Sequence, residues 1–337
     1  MRLVFFDLEG PLSPQDNAYE VMGLFKDGHK IFEIISKYDD ILTLKGRPHY
    51  EPGDTLKLIV PFLLYHGITD EDIVEVSKKA KVVNGSKEAI KKLFELGYEV
   101  FIISTSYQQH AYHIAERVGI PKKNVACTKF DLESIYNTIS HSDLRIVEEA
   151  ENKILENYPD VDVDYLDSFF FKKISETTLG RIFDEVVVIG GSRKVGAMVN
   201  FASSRGVKLE NTVAIGDSIT DFKMLSRVRK EGGLAVAFNG NEYCIPYANV
   251  GIATTDQRFT LPVLQAFLGG KEKAIELVKE LEKSKEKVYN FESLGKLRNV
   301  DVEYHCIENA DDTKIKEIIE IHKKFRMKVR GEAGKLG

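Results

Sequence analysis

Apolar, β-branched and aromatic residues gather in short continuous runs, separated by longer stretches in which apolar positions recur every three or four residues. The runs at 2–7, 98–103, 186–190, 212–216, 233–238 and 249–253, with a shorter one near 124–127, predict buried strands. Between them, Ser86 to Leu96 sets Ala89, Ile90, Leu93 and Phe94 at helical spacing and stops at Gly97, which reads as a helix cap before the strand from Tyr98. Val195 to Ser204 repeats the arrangement with Val195, Met198, Phe201 and Ala202 on one face, ending near Gly206. Strand and helix in alternation imply an α/β protein built on a doubly wound parallel sheet with right-handed crossovers.

Two stretches break the alternation. Residues 14–82 read as mostly helical with a turn-rich middle, Gly46-Arg47-Pro48 and Glu51-Pro52-Gly53-Asp54, and residues 131–184 as a second helical insert, with Ile146, Val147, Ala150, Ile154 and Leu155 at helical spacing. The expected core is therefore 1–13, 83–130 and 185–269, followed by a C-terminal helical extension over 270–337. Both inserts leave the core at the edge where strand ends carry polar residues. There an insert can cover a site and exclude water, so the first is expected to act as a lid. The extension opens with a helix over Lys271 to Val288 and closes with one over Thr313 to Arg330.

Composition narrows the class without naming it. The chain has 337 residues, 43% hydrophobic and 29% charged, enough for one large core and an accessory lobe. Its longest apolar run, Leu58 to Tyr65, falls far short of the roughly 20 residues that a membrane-spanning helix needs. Met1 leads directly into a strand with no signal-peptide layout, so a cytoplasmic protein is expected. Cys127, Cys244 and Cys306 are widely spaced and suggest neither a disulfide framework nor a zinc site. A net charge of −5 gives no bias toward nucleic acid. Lys323-Lys324-Phe325-Arg326-Met327-Lys328-Val329-Arg330 packs five positive charges into eight residues and reads as the solvated end of a terminal helix. A protein partner through this extension stays open.

Four segments carry candidate chemistry: Phe5-Phe6-Asp7-Leu8-Glu9-Gly10-Pro11, Val100-Phe101-Ile102-Ile103-Ser104, Lys194, and Gly216-Asp217-Ser218-Ile219-Thr220-Asp221. Three of them follow predicted strands, and strand ends are where open α/β sheets bind ligands. Carboxylates, a hydroxyl and a lysine gathered there suit a phosphoryl group beside a divalent cation, because they provide metal oxygens, a hydrogen-bond donor and a positive charge. Asp7 could attack phosphorus to give an aspartyl-phosphate. Glu9, two residues on, could protonate the leaving oxygen and later deprotonate water. Ser104 could bond a phosphoryl oxygen, and Lys194 could neutralise both nucleophile and phosphoryl group. Asp217 and Asp221, four apart, would gather around Mg²⁺ on one side of a starting helix. His110 and His113 read as ordinary helix histidines, and Gly190 to Lys194 lacks the spacing of a nucleotide-triphosphate loop.

In this order the four segments resemble those of the haloacid dehalogenase-like superfamily of hydrolases. The resemblance implies a Rossmann-like core with Asp7 as nucleophile and Ser104 and Lys194 on the phosphoryl group. It also implies Mg²⁺ held by Asp7, the Glu9 backbone carbonyl and Asp217, with Asp221 in support. The usual pattern has a second aspartate where this chain has Glu9, and threonine or serine where it has Pro11; enolase-phosphatases of the superfamily do carry Asp-x-Glu-Gly. The first insert looks like the helical cap of phosphoserine phosphatases, with Asp16 where those enzymes carry a substrate-facing glutamate. The region Leu56 to Val60, where their carboxylate-binding arginine is expected, holds no arginine. The chain also resembles archaeal proteins described as subunit R of energy-converting hydrogenase A. A Mg²⁺-dependent phosphomonoester hydrolase acting on a small phosphorylated cytosolic metabolite is therefore expected. The alternatives are a phosphotransferase using the same intermediate and a non-catalytic accessory subunit of a larger complex.

Overall fold

The computed structural model describes residues 1–295, 297 and 300–335; Lys296, Arg298, Asn299, Leu336 and Gly337 of the expected C-terminal extension lie outside the described residues. Seven strands form one sheet: β1 (Arg2–Phe6), β2 (Tyr98–Tyr107), β3 (Val125–Thr128), β4 (Thr212–Gly216), β5 (Leu234–Phe238), β6 (Val250–Thr254) and β7 (Val302–Cys306). They lie in the order β3-β2-β1-β4-β5-β6-β7. The first six run parallel, with Phe5 opposite both Phe101 and Ala214, and β7 is added antiparallel to β6. The order reverses between β1 and β4, so the crevice for a ligand opens at the carboxyl ends of those two strands.

Strand residues alternate between two helical layers, as the pleat requires. Val4 and Phe6 face one buried cluster, in which Ala89, Ile90 and Leu93 of helix Ser86–Glu95 and Val263, Leu264 and Phe267 of helix Leu261–Phe267 pack. Leu3 and Phe5 face another, closed by Met198 of helix Gly191–Ser204, Met224 and Leu225 of helix Phe222–Lys230, and Ile318 of helix Asp312–Arg330. Because β1 is buried on both faces, its sequence is a continuous apolar run rather than an alternation.

The two inserts share a third apolar cluster. Ile31, Phe32, Ile35 and Tyr38 of helix Gly28–Leu44 pack in it with Val147, Ala150 and Ile154 of helix Arg145–Asn157 and with Phe169 and Phe170. Glu51 and Asp54, in the turn-rich middle of the first insert, meet the core at the start of helix Gly191–Ser204. Glu51 Oε2 accepts from the Ser192 N–H at 2.8 Å and pairs with Lys223 at 2.7 Å, while Arg193 Nη1 reaches Asp54 Oδ1 at 2.5 Å. No helix among the described residues is long and apolar enough to cross a membrane. The three cysteines are free and buried.

Two expectations about the elements fail. The run at 186–190 is not a strand of the sheet: Val186 and Val188 bury themselves in the cluster of the inserts, Val187 is exposed, and a single bridge joins Val187 to Lys129. A continuous apolar run meets the same burial demand there without joining the sheet. The C-terminal extension is not wholly helical, because Val302–Cys306 pairs with β6 along its length.

Candidate active site

β1 delivers Asp7 into the crevice. Its backbone N–H donates to Ile215 O at 2.8 Å, continuing the ladder to β4 by one residue. From β4, Gly216 leads into Asp217 and on to Asp221, the residue just before helix Phe222–Lys230. Asp221 Oδ2 accepts from the N–H groups of Asp217 (3.0 Å) and Ser218 (3.2 Å), which fixes the loop that carries Asp217. Lys194 lies in the first turn of helix Gly191–Ser204, fully buried, and donates to Asp7 Oδ1 and Asp221 Oδ1, each at 2.7 Å. Burial alone would lower the lysine pKa; the attraction of Asp221 and Asp7 outweighs it and pushes the value up.

Asp7, Asp217 and Asp221 each bring a carboxylate oxygen within 4.8 Å of the others, and all three are buried. Asp217 Oδ1 is buried without a hydrogen-bond partner among the described residues. A converging set of oxygen donors with one orphaned lone-pair site fits a hard divalent cation. Gly10 makes the approach possible: at φ +102 it adopts a backbone that side-chain residues avoid, and a Cβ there would stand 2.2 Å from Asp217 Oδ2. Burial, followed by repulsion from Asp221, pushes Asp7 up to about 7 despite Lys194.

Glu9 is held apart from the trio. Its Oε1 accepts from Ser106 Oγ at 2.6 Å and from the Asn17 N–H at 3.0 Å. Burial, then the neighbouring Asp16, pushes its carboxyl up to about 8, so near neutral pH it is mostly a proton-bearing acid. Asp16 caps helix Asn17–Met22 by accepting from the Tyr19 N–H at 2.9 Å, and burial raises its pKa as well. Ser104 does not end its strand. β2 runs on to Tyr107, with a register shift after Ile103, and the buried Ser104 hydroxyl accepts from the Ser106 N–H at 3.0 Å. Thr105, rather than Ser104, faces the cavity. His110 is buried with both ring nitrogens unpartnered, and burial pushes it down to about 3, which leaves it neutral.

The largest departure comes from the C-terminus. The basic segment is not a solvated helix end, because helix Asp312–Arg330 lays two of its arginines on Asp217 of the carboxylate trio. Arg326 donates through Nη1 to Asp217 Oδ2 and, at 3.0 Å, to the Asp217 carbonyl; Arg330 Nη1 reaches the same Oδ2 at 3.0 Å. Their side chains are only 2% and 5% exposed. One turn separates them, so both point from one helix face. Around these groups lies a cavity of about 60 Å³ lined by Asp7, Glu9, Asp16, Thr105, Arg326 and Arg330, and roofed by Phe32, Asp39 and Leu56 of the first insert.

Sequence reasoning missed Arg326, Arg330, Thr105 and Ser106 as members of the site. The i, i+4 spacing of the two arginines among apolar Ile318 and Phe325 was the available signal for a docked face.

A family model described as haloacid dehalogenase-like hydrolase matches residues 86–258. A phosphoserine phosphatase of Archaeoglobus fulgidus is 24% identical over 241 residues, 72% of this chain and 53% of that protein. One of Streptomyces coelicolor is 24% identical over 176 residues, 52% of this chain and 31% of that protein. The chain thus spans about half the length of the first of these relatives and about a third of the second. A gene product of Archaeoglobus fulgidus of solved structure is 30% identical, with a TM-score of 0.84, covering 100% of this chain and 99% of that one. A phosphoserine phosphatase solved as a phospho-aspartyl intermediate analogue is similar in fold, with a TM-score of 0.50 at 20% identity over 77% of this chain and 97% of that one.

Proposed function

This chain belongs to the haloacid dehalogenase-like hydrolases, and from that premise we propose that it is a Mg²⁺-dependent phosphomonoesterase acting on a small cytosolic metabolite through an aspartyl-phosphate at Asp7. The observation that carries the reading is the buried trio Asp7, Asp217 and Asp221, bridged by a buried Lys194. Asp7, the Glu9 backbone carbonyl and Asp217 would hold the cation, with Asp221 in support, and the cation would supply positive charge to the phosphoryl oxygens.

The residues divide the work. An Asp7 oxygen attacks phosphorus as the bond to the leaving oxygen breaks, while Lys194 balances the charge gathered on phosphoryl and carboxylate. Glu9, which holds its proton near neutral pH, gives it to the leaving oxygen. The resulting carboxylate then takes a proton from water as that water attacks phosphorus and the bond to Asp7 breaks, which releases phosphate and restores the Asp7 carboxylate and the Glu9 acid. Asp221 positions Lys194 and the Asp217 loop through its two oxygens. The small cavity, about 60 Å³, restricts the substrate to a compact leaving group unless the first insert moves.

The test is hydrolysis of p-nitrophenyl phosphate by the purified protein with and without Mg²⁺, beside its Asp7→Asn variant. Turnover is expected to require Mg²⁺ and to fall by about 10⁴-fold or more in the variant, the scale on which loss of a nucleophile acts. Turnover that survives the substitution overturns the reading. An accessory-subunit reading draws on the C-terminal arginines, which neutralise Asp217 without any cation; it predicts turnover by neither protein.

A further inference from the structure

The two arginines that reach Asp217 are not equivalent. Arg326 is committed to the protein: Nη1 serves the Asp217 carboxylate and carbonyl, and Nε donates to Gly334 O at 3.0 Å. It is a positioning residue. Arg330 donates to Asp217 through Nη1 and makes a long contact, 3.4 Å, from Nε to Pro14 O. Its Nη2 makes no hydrogen bond to any described residue, and the side chain lines the cavity. A guanidinium presents its donors in a fixed fork, so an edge left over beside a cavity is a ready contact for a carboxylate or phosphate.

Its place decides which part of a substrate it would meet. Arg330 lines the cavity together with Glu9 and Asp16 and reaches back to Pro14 O, two residues before Asp16; among the acids around it the attraction of Asp217 is largest, followed by Asp16, Glu9 and Asp7. Lys194 is engaged instead with Asp7 and Asp221. On the phosphomonoesterase reading, on which this inference rests, Glu9 marks the position of the leaving oxygen, so Arg330 borders the leaving group rather than the transferred phosphoryl. The first insert offers no arginine among the residues lining this cavity; its contributions are Phe32, Ser36, Asp39, Asp40, Thr55 and Leu56, among others that bear no positive charge.

We propose that Arg330, delivered by the C-terminal helix, is a specificity-determining residue, and that the substrate carries a second anionic group, a carboxylate or a phosphate, within a few bonds of its ester oxygen. The extension is then part of the active site, and the anion subsite is built from the end of the chain farthest from the nucleophile.

Three probes built on the same two-carbon unit test this with the full chain and Mg²⁺: ethyl phosphate, phosphoglycolate and the bisphosphate of ethylene glycol. The native protein is expected to favour one or both anion-bearing probes over ethyl phosphate in kcat/KM by about 10- to 100-fold, the value of one charge-assisted contact. Whichever is preferred identifies carboxylate or phosphate. Arg330→Gln is expected to bring that ratio close to unity and Arg330→Lys to restore part of it, with thermal unfolding checking that each variant is folded. No preference in the native protein, or a preference unchanged in Arg330→Gln, overturns the proposal. Calorimetric binding of the same probes to the Asp7→Asn protein separates this inference from the reading beneath it. If nothing is hydrolysed the phosphatase reading falls, while tighter binding of an anion-bearing probe, lost on adding Arg330→Gln, still supports the subsite, and equal binding of all three removes it.

Discussion

The carboxylates of the site are gripped from two flanks, and the flanks are built differently. On one, Lys194 bridges Asp7 and Asp221 from the first turn of a helix belonging to the doubly wound core. On the other, Arg326 and Arg330 hold Asp217 from a helix that follows the whole of that core, 109 residues further along the chain in the case of Arg326. Lys194 is placed by the start of helix Gly191–Ser204, which is tied to the loop after β4 by the Gly191 N–H donating to Thr220 O at 3.1 Å. The arginines depend on the docking of Ile318 and Phe325, which has no counterpart in any local motif. A site can thus be local in its chemistry and global in its charge balance.

Removing each cation in turn measures how far the flanks differ. Lys194→Met leaves Asp7 and Asp221 buried without their shared counter-charge. Loss of one partner of a buried pair costs about 3–5 kcal/mol, so this variant is expected to show the largest drop in denaturant midpoint and no phosphatase turnover. Arg326→Leu is expected to cost roughly 3 kcal/mol, the lower end of the same range, because Arg330 still covers Asp217 Oδ2. Equal losses in the two variants would show that Arg330 does not share the load.

The strand-end flank is readable because burial and chemistry coincide there. Asp7 and Asp217 each follow a run that is apolar on both faces, and Asp221 and Lys194 then fall at helix starts, so a linear pattern locates all four. Ser104 shows where the pattern stops: β2 continues through Ser104-Thr105-Ser106 to Tyr107, and polar residues inside a strand look like its end. Which hydroxyl faces the cavity depends on the register shift after Ile103, which leaves no mark in composition. The basic run from Lys323 to Arg330 has the same composition whether solvated or docked; only the partner surface distinguishes Arg326 and Arg330 from the exposed Lys324 and Lys328 beside them. The run at 186–190 misleads for a related reason, since a continuous apolar run reports burial and is silent about what buries it.

A carboxylate that neither flank reaches sharpens the comparison. Asp39 lines the same cavity and is buried, but its partners are neutral: Tyr50 Oη at 2.5 Å and the Gly53 N–H at 2.8 Å. Burial pushes it up to about 7. With the folded value above the unfolded one, the native state keeps a proton that the unfolded chain gives up near pH 4. Its contribution to stability is therefore complete below that pH and is lost as pH rises through 7, amounting to about 2 kcal/mol between pH 5 and 7. Asp39→Asn is expected to flatten that part of the stability profile, measured by urea unfolding at several pH values. A slope that persists in the variant would assign it to other acids.

The smallest effect is expected where an insert meets the core through half-exposed charges. Glu51 joins the Ser192 N–H and Lys223, with side-chain exposures of 17% for Glu51 and 34% for Lys223. Pairs so accessible to solvent contribute about 1 kcal/mol or less and weaken with salt. Glu51→Gln is thus expected to change global stability little while raising the rate of amide exchange across Glu51 to Asp54, and raising the salt concentration of the native protein is expected to imitate it. Arg193 would still hold Asp54, whose carboxylate is fully buried, so the turn should loosen without detaching. If exchange there is unaffected, the buried Asp54 contact alone fixes the insert, and the cavity roof is as firmly set as its floor.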